Sequence, residues 1–155
     1  MAVSRASVAK HPIHPMLVVF PLGLWITALA FDIVEAATGN PMWRTLAFWN
    51  IVAGIIGALV AAIPGLVDYF TLDGRVGRLA TWHMVVNLGA VALFVVNAFV
   101  RVRVDAASAW PLTLSAVGII VLIVGGWLGG ELVYVERMGV EEPSAAREPR
   151  SRRVA

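Results

Sequence analysis

Four runs of about twenty residues contain no Asp, Glu, Lys or Arg: 11–31, 45–67, 79–100 and 110–130. A helix rises 1.5 Å per residue, so roughly 20 apolar residues cross a hydrocarbon core about 30 Å thick. Inside lipid the backbone must satisfy its own donors and acceptors, and a single run does this as a helix. Composition agrees, with 59% hydrophobic and 14% charged residues against about 25% charged in an ordinary globular domain. The expected fold is all-α: an integral membrane four-helix bundle, antiparallel and up-down, with helices near 15–36, 43–69, 79–101 and 110–135. Residues 1–10 form an N-terminal segment, 11–140 the membrane domain and 141–155 a solvated, disordered tail with almost no large apolar residue.

The basic start, the apolar run and Ala28-Leu29-Ala30 resemble a cleavable leader. The run is long for a leader and a second span follows it, so a retained span is expected. The chain has no cysteine, which excludes disulfides, thiolate metal sites, iron–sulfur clusters and thioether-linked haem held by this chain. No phosphate-binding glycine loop or nucleophile-and-base motif occurs, so an enzyme is not the expectation. The net charge of +2 does not suggest nucleic acid.

Basic residues report orientation. With four spans, the side holding both termini and the 70–78 loop carries Arg5, Lys10, Arg75, Arg78, Arg137, Arg147, Arg150, Arg152 and Arg153; the other carries Arg44, Arg101 and Arg103. The positive-inside rule then predicts both termini in the cytoplasm, in a bacterial inner membrane.

The chemistry gathers on that side. HPIHPMLVVFPLGLW, residues 11–25, opens the first span with two histidines. Pro12 and Pro15 should hold His11 and His14 extended, with the helix starting at Pro15 or Met16 and Pro21 kinking or opening it. Asp68 ends the second span behind a ridge of Gly54, Gly57, Ala58, Ala61, Ala62 and Gly65, and should point along it into the bundle. His83 and Asn87 share a face early in the third span, and Glu131 closes the fourth. Gly65-Leu66-Val67-Asp68-Tyr69 and Gly130-Glu131-Leu132-Val133-Tyr134 echo each other, suggesting a weak 2+2 parallel repeat about an axis along the membrane normal.

His14 and His83 are the candidate cofactor ligands: the axial pair of a b-type haem, or with Asp68 and Glu131 a transition-metal centre. Asn87 and His11 are candidate supporting residues. A bis-histidine haem would suit electron transfer. The bland reading keeps His14 as an interfacial residue and His83 as a hydrogen-bonded interior one. Asp32 and Glu35 lie about a membrane thickness from His14 and read as a solvated outer helix end.

Two other functional classes compete. A proton or ion path would need a polar route across the bilayer, for which only Asn50, Asn97 and Thr27 offer continuations. A structural or assembly protein would need only the glycine ridges and an interfacial belt formed by the six tryptophans. Gly125, Gly126, Gly129 and Gly130 suit close helix packing, either against helix two or between chains of a homodimer.

HPIHPMLVVFPLGLW with Asp32, IPGLVDYF, HMVVN and LGGELVY together resemble a bacterial family of small four-helix predicted membrane proteins of unknown function, over about 11–140. The resemblance implies a four-helix membrane fold and brings no activity, substrate or site residue. Relatives of this type fused to Rieske or cytochrome-like domains would imply an electron-transfer context. Here the redox partner would be a separate protein.

Overall fold

A computed structural model describes residues 4–105 and 108–140. The tail expected to be disordered, 141–155, lies outside the described residues. Four helices follow a two-residue-stranded hairpin: α1 (Ile13–Thr38), α2 (Pro41–Tyr69), α3 (Gly74–Arg101) and α4 (Trp110–Gly130), the last running into a π-helical turn, Glu131–Val135. All four, α4 counted with its π turn, are long and apolar enough to cross a membrane. They form an all-α membrane bundle.

Connections are short and their residues explain the breaks. Gly39, at φ +67°, ends α1 in the left-handed region with its N–H on the Glu35 carbonyl, a conformation that favours glycine. Asn40 caps α2 through its side chain, which accepts from the Met42 N–H at 3.0 Å, and Pro41 takes the first helical position. Gly74, at φ +61°, turns the chain into α3.

Helix α1 starts at Ile13, so His14 is helical, not extended. Pro15 falls in the first turn, where its missing N–H has no intrahelical partner to lose, and that outweighs the bias of the preceding residue. His11 is in the short strand β2 (His11–Pro12), paired with β1 (Ser7–Val8). The two-residue loop between them puts Ala9 and Lys10 at φ +48° and +68°, the signature of a twisted hairpin turn. Pro21 is buried inside α1, its Cδ against the backbone of Gly57 on α2.

Helix α1 packs mainly on α2 and α3 on α4, with α2–α3 and α1–α4 the secondary contacts. The order around the bundle is therefore sequential, and α1 faces α3 diagonally. The apolar core comprises Trp25, Ala28, Ala47, Ile51, Ala90, Phe94 and Leu122. Trp25, expected in the interfacial belt, is instead 2% exposed at its centre. Its ring stacks on Phe94 with centroids 4.2 Å apart and planes 9° from parallel, and its Nε1 donates to the Ile51 carbonyl at 3.2 Å. Trp49, Trp82, Trp110 and Trp127 remain on the lipid-facing surface.

The two hairpins are structural repeats. Asp32 and Arg101, 69 residues apart, meet across the bundle; Trp25–Phe94 and His14–His83 share that offset and also meet. In α2 and α4 the offset is 64: Gly54 lies under Trp25 and Gly118 under Phe94, Gly65 under His14 and Gly129 under His83. A pseudo-twofold axis thus runs between α1 and α3 along the bundle. The repeat is real, but its register differs from the pentamer echo: Gly65 matches Gly129, so Asp68 falls opposite Leu132 instead of Glu131. Tyr69 bonds Thr81 at 3.0 Å whereas Tyr134, on the π turn, is 83% exposed.

Candidate functional site

Three layers lie along the axis. At the edge carrying the N-terminus, His14 and His83 face each other with ring centroids 6.3 Å apart and planes at 87°. His14 Nδ1 is 2.7 Å from the Ala61 carbonyl and His83 Nδ1 is 3.0 Å from the Gly125 carbonyl. A carbonyl only accepts, so each Nδ1 carries the proton and donates. In the neutral tautomer that this bond selects, the Nε2 lone pair is left for another partner.

Glycine is required for this approach. A Cβ at Gly65 would lie 2.9 Å from His14 Nδ1, and one at Gly129 would lie 3.0 Å from His83 Cε1. Gly125 likewise lies against the Asn87 side chain. Gly125 and Gly129 thus serve α3 within the chain, whereas a Cβ at Gly126 would meet nothing within 4 Å. Asn87 donates to the His83 carbonyl at 2.7 Å. Its amide nitrogen also lies 3.4 Å from both ring nitrogens, a weak contact that, being equidistant from the two, sits across the ring and not along the Nε2 lone pair.

Asp68 is engaged elsewhere. It is buried and both its oxygens are bonded: Oδ2 accepts from Ser4 Oγ at 2.8 Å, and Oδ1 from the Arg5 and Ala6 N–H groups at 2.8 and 3.0 Å. It pins the N-terminal segment to the end of α2, and Ile13 N–H closes back on the Ala6 carbonyl at 2.9 Å. Glu131 sits half-buried at the start of the π turn. His11 is exposed, its Nδ1 on the Ala9 carbonyl at 2.8 Å. Among the described residues no group of three or more His, Asp and Glu is arranged to hold a metal ion. The structure brings His14 and His83 together and gives Asp68 and His11 other partners.

Asp68 gives a direct test of the pinning. Hydrogen bonds to a charged group are worth about 1.5–3 kcal/mol each, so Asp68→Ala should open residues 4–10 and accelerate tryptic cleavage after Arg5 and Lys10 at least about tenfold. Global unfolding should shift little. Cleavage at the parent rate, followed by mass spectrometry, would contradict this role.

The middle layer is the Trp25–Phe94 stack, which is apolar. At the opposite edge lies a second polar cluster, absent from the sequence reading. Asp32, read as a solvated helix end, is 2% exposed and paired with Arg101 at 2.5 Å. Ser115 Oγ donates to Asp32 Oδ2 at 2.6 Å, Arg101 Nε donates to Asn97 Oδ1 at 3.0 Å, and Asn97 Nδ2 donates to Ser115 Oγ at 2.9 Å. Asn97 and Ser115 are fully buried. A buried charge must be paired, and here the pair joins α1 to α3. The signal was present: Asp32 and Arg101 each stand 18 residues after a histidine, five helical turns at 3.6 residues each. Arg44 supports the same end from outside, donating to the Arg101 and Val104 carbonyls at 3.0 and 3.1 Å.

The chain matches a family model described as "Predicted membrane protein (DUF2231)" over residues 10–142 and belongs to that family. No curated protein and no solved structure matches it.

Proposed function

We propose that this member of a predicted membrane protein family is a small redox or metal-carrying subunit of the membrane, with His14 and His83 as its centre. The observation that carries the reading is the pair of Nδ1–H bonds to helix carbonyls. Ligating histidines characteristically donate their other ring N–H in this way, which fixes the tautomer and raises the basicity of the ligating nitrogen. The reading includes an electron-transfer partner as a separate protein.

Orientation follows from the arginines. Of three on the edge opposite the termini, Arg101 is buried in the Asp32 pair and Arg44 caps α3; Arg103 alone is exposed. Basic charge therefore weighs further toward the terminal edge, which favours both termini in the cytoplasm of a bacterial cell and the histidine pair at the cytoplasmic edge. A continuous ion path finds less support, since the axis between the two polar layers is filled by Trp25 and Phe94.

Elemental analysis with oxidised and dithionite-reduced optical spectra tests the reading on protein purified from haem- and metal-replete cells. One metal or haem per chain is expected, with the content of both His14→Ala and His83→Ala falling to background. Protein that carries neither would overturn the reading and leave a structural or assembly role.

A further inference from the structure

We infer that the occupant of the His14–His83 pair is a single monovalent d10 cation of the copper(I) class, held between the two Nε2 atoms, and not a porphyrin. This rests on the reading of the pair as a metal centre and adds the identity of its ligand.

Donor number is the first argument. The pair offers two imidazole nitrogens, and Asp68, the nearest candidate for a third donor by sequence, is bonded to Ser4, Arg5 and Ala6. Zinc takes four ligands in tetrahedral sites, and copper(II) or nickel(II) prefers square arrangements of nitrogen and oxygen. A d10 monovalent ion is satisfied by two nitrogen donors on opposite sides.

Charge points the same way. Two neutral imidazoles bring no negative charge, so the site takes on the full charge of its ion. The cost of moving an ion out of water grows with the square of its charge. A divalent ion here would be uncompensated beside an apolar core, whereas a monovalent one is far less costly.

Spacing is the third. Two imidazoles sharing one ion through bonds of about 2 Å have ring centres about 6 Å apart, and the observed separation is 6.3 Å. A direct N–H···N bond of about 2.9 Å would bring the centres to about 5 Å, so the gap suits an ion and exceeds a shared proton. The two ring nitrogens point to opposite sides of an imidazole. His14 turns the Nδ1 side of its ring to Gly65, which leaves its Nε2 the farther nitrogen from α2, whereas His83 meets Gly129 with its Cε1 edge and has its Nε2 3.9 Å from a Cβ built there. Planes at 87° do not obstruct ligation, because the metal–nitrogen bond lies in the plane of each ring.

Enclosure excludes the macrocycle. The backbones of α2 at Gly65 and of α4 at Gly129 press against the two rings. These helices flank the gap on the two sides through which the edges of a porphyrin would have to emerge. Seating one would require the hairpins to separate.

The test is anaerobic titration of the full chain in lipid nanodiscs with copper(I), in competition with a chromogenic copper(I) chelator, followed by copper K-edge absorption. We expect one ion per chain with two nitrogen scatterers. His14→Gln and His83→Gln should each weaken binding at least about 100-fold, the loss that removing even a supporting partner can cause at a metal site. Asp68→Asn and His11→Ala should bind as the parent does, and thermal unfolding of each variant separates lost ligation from lost fold. Three or four donors in the absorption spectrum, or a histidine-dependent Soret band in its place, would overturn the copper(I) assignment and leave the metal-centre reading standing. Failure to bind copper(I), haem or any other metal would overturn both.

Discussion

Arg101→Met should cost about 3–5 kcal/mol of unfolding free energy, the penalty for leaving a buried charge without its partner. The Asp32 carboxylate is 2% exposed, and without Arg101 only the Ser115 hydroxyl donates to it. Asn97 would lose its guanidinium donor at the same time. The double variant Asp32→Leu/Arg101→Met should recover most of the loss, because replacing both members of a buried pair by apolar residues is often neutral or stabilising. Unfolding followed by graded denaturant in mixed micelles measures both. A single variant within 1 kcal/mol of the parent, on the scale of an exposed pair, would show that Asp32 and Arg101 meet water and not each other.

Trp25→Ala should be comparably damaging, at about 3–5 kcal/mol for truncating a large core aromatic. The indole stacks on Phe94 and donates to the Ile51 carbonyl, so the loss includes a stacking contribution of about 0.5–1.5 kcal/mol. Gly54 makes the complementary prediction. A Cβ there would collide with the Trp25 ring, and overpacking of this kind costs about 1–3 kcal/mol. Residues in contact are not additive, so Gly54→Ala should cost close to nothing once Trp25 is alanine. Equal costs in the two backgrounds would place the indole away from α2.

How much of this was legible follows from what each residue needs. The spans were readable because lipid leaves the backbone one solution per segment, and no tertiary detail is required to see it. His14 and His83 were readable as a pair because the up-down order returns both helix starts to one edge. Asp68 was read as pointing into the bundle and is buried, but its partners are the backbone N–H groups of Arg5 and Ala6 and the Ser4 hydroxyl. No periodicity announces a carboxylate that captures an irregular segment. Asp32 was misread because a charge at a span end is ordinarily solvated. Its true environment depends on α3 supplying Arg101 at the same level, which requires knowing that α1 and α3 face each other. The matching interval of five turns from each histidine held that information, and it becomes visible once the repeat is aligned on the histidines instead of on the glycine–acid–tyrosine pentamers. Gly125, Gly126, Gly129 and Gly130 were read as a close-packing surface toward helix two or a second chain; Gly125 and Gly129 seat Asn87 and His83 of α3, and Gly118, which was not singled out, seats Phe94.

The claim on which the functional reading depends is that His14 and His83 hold their proton on Nδ1 and leave Nε2 free. Nitrogen-15 spectra of histidine-labelled protein in lipid bilayers, at a pH where the imidazoles are neutral and in a His11→Ala background, resolve this for the two rings alone. The account predicts two protonated Nδ1 and two unprotonated Nε2 resonances, the latter shifting together when the site is loaded with copper(I) and only one pair remaining in His14→Gln or His83→Gln. Protonated Nε2 on both rings would break the bonds to Ala61 and Gly125 and remove the ligating lone pairs, and the His14–His83 centre would have to be abandoned.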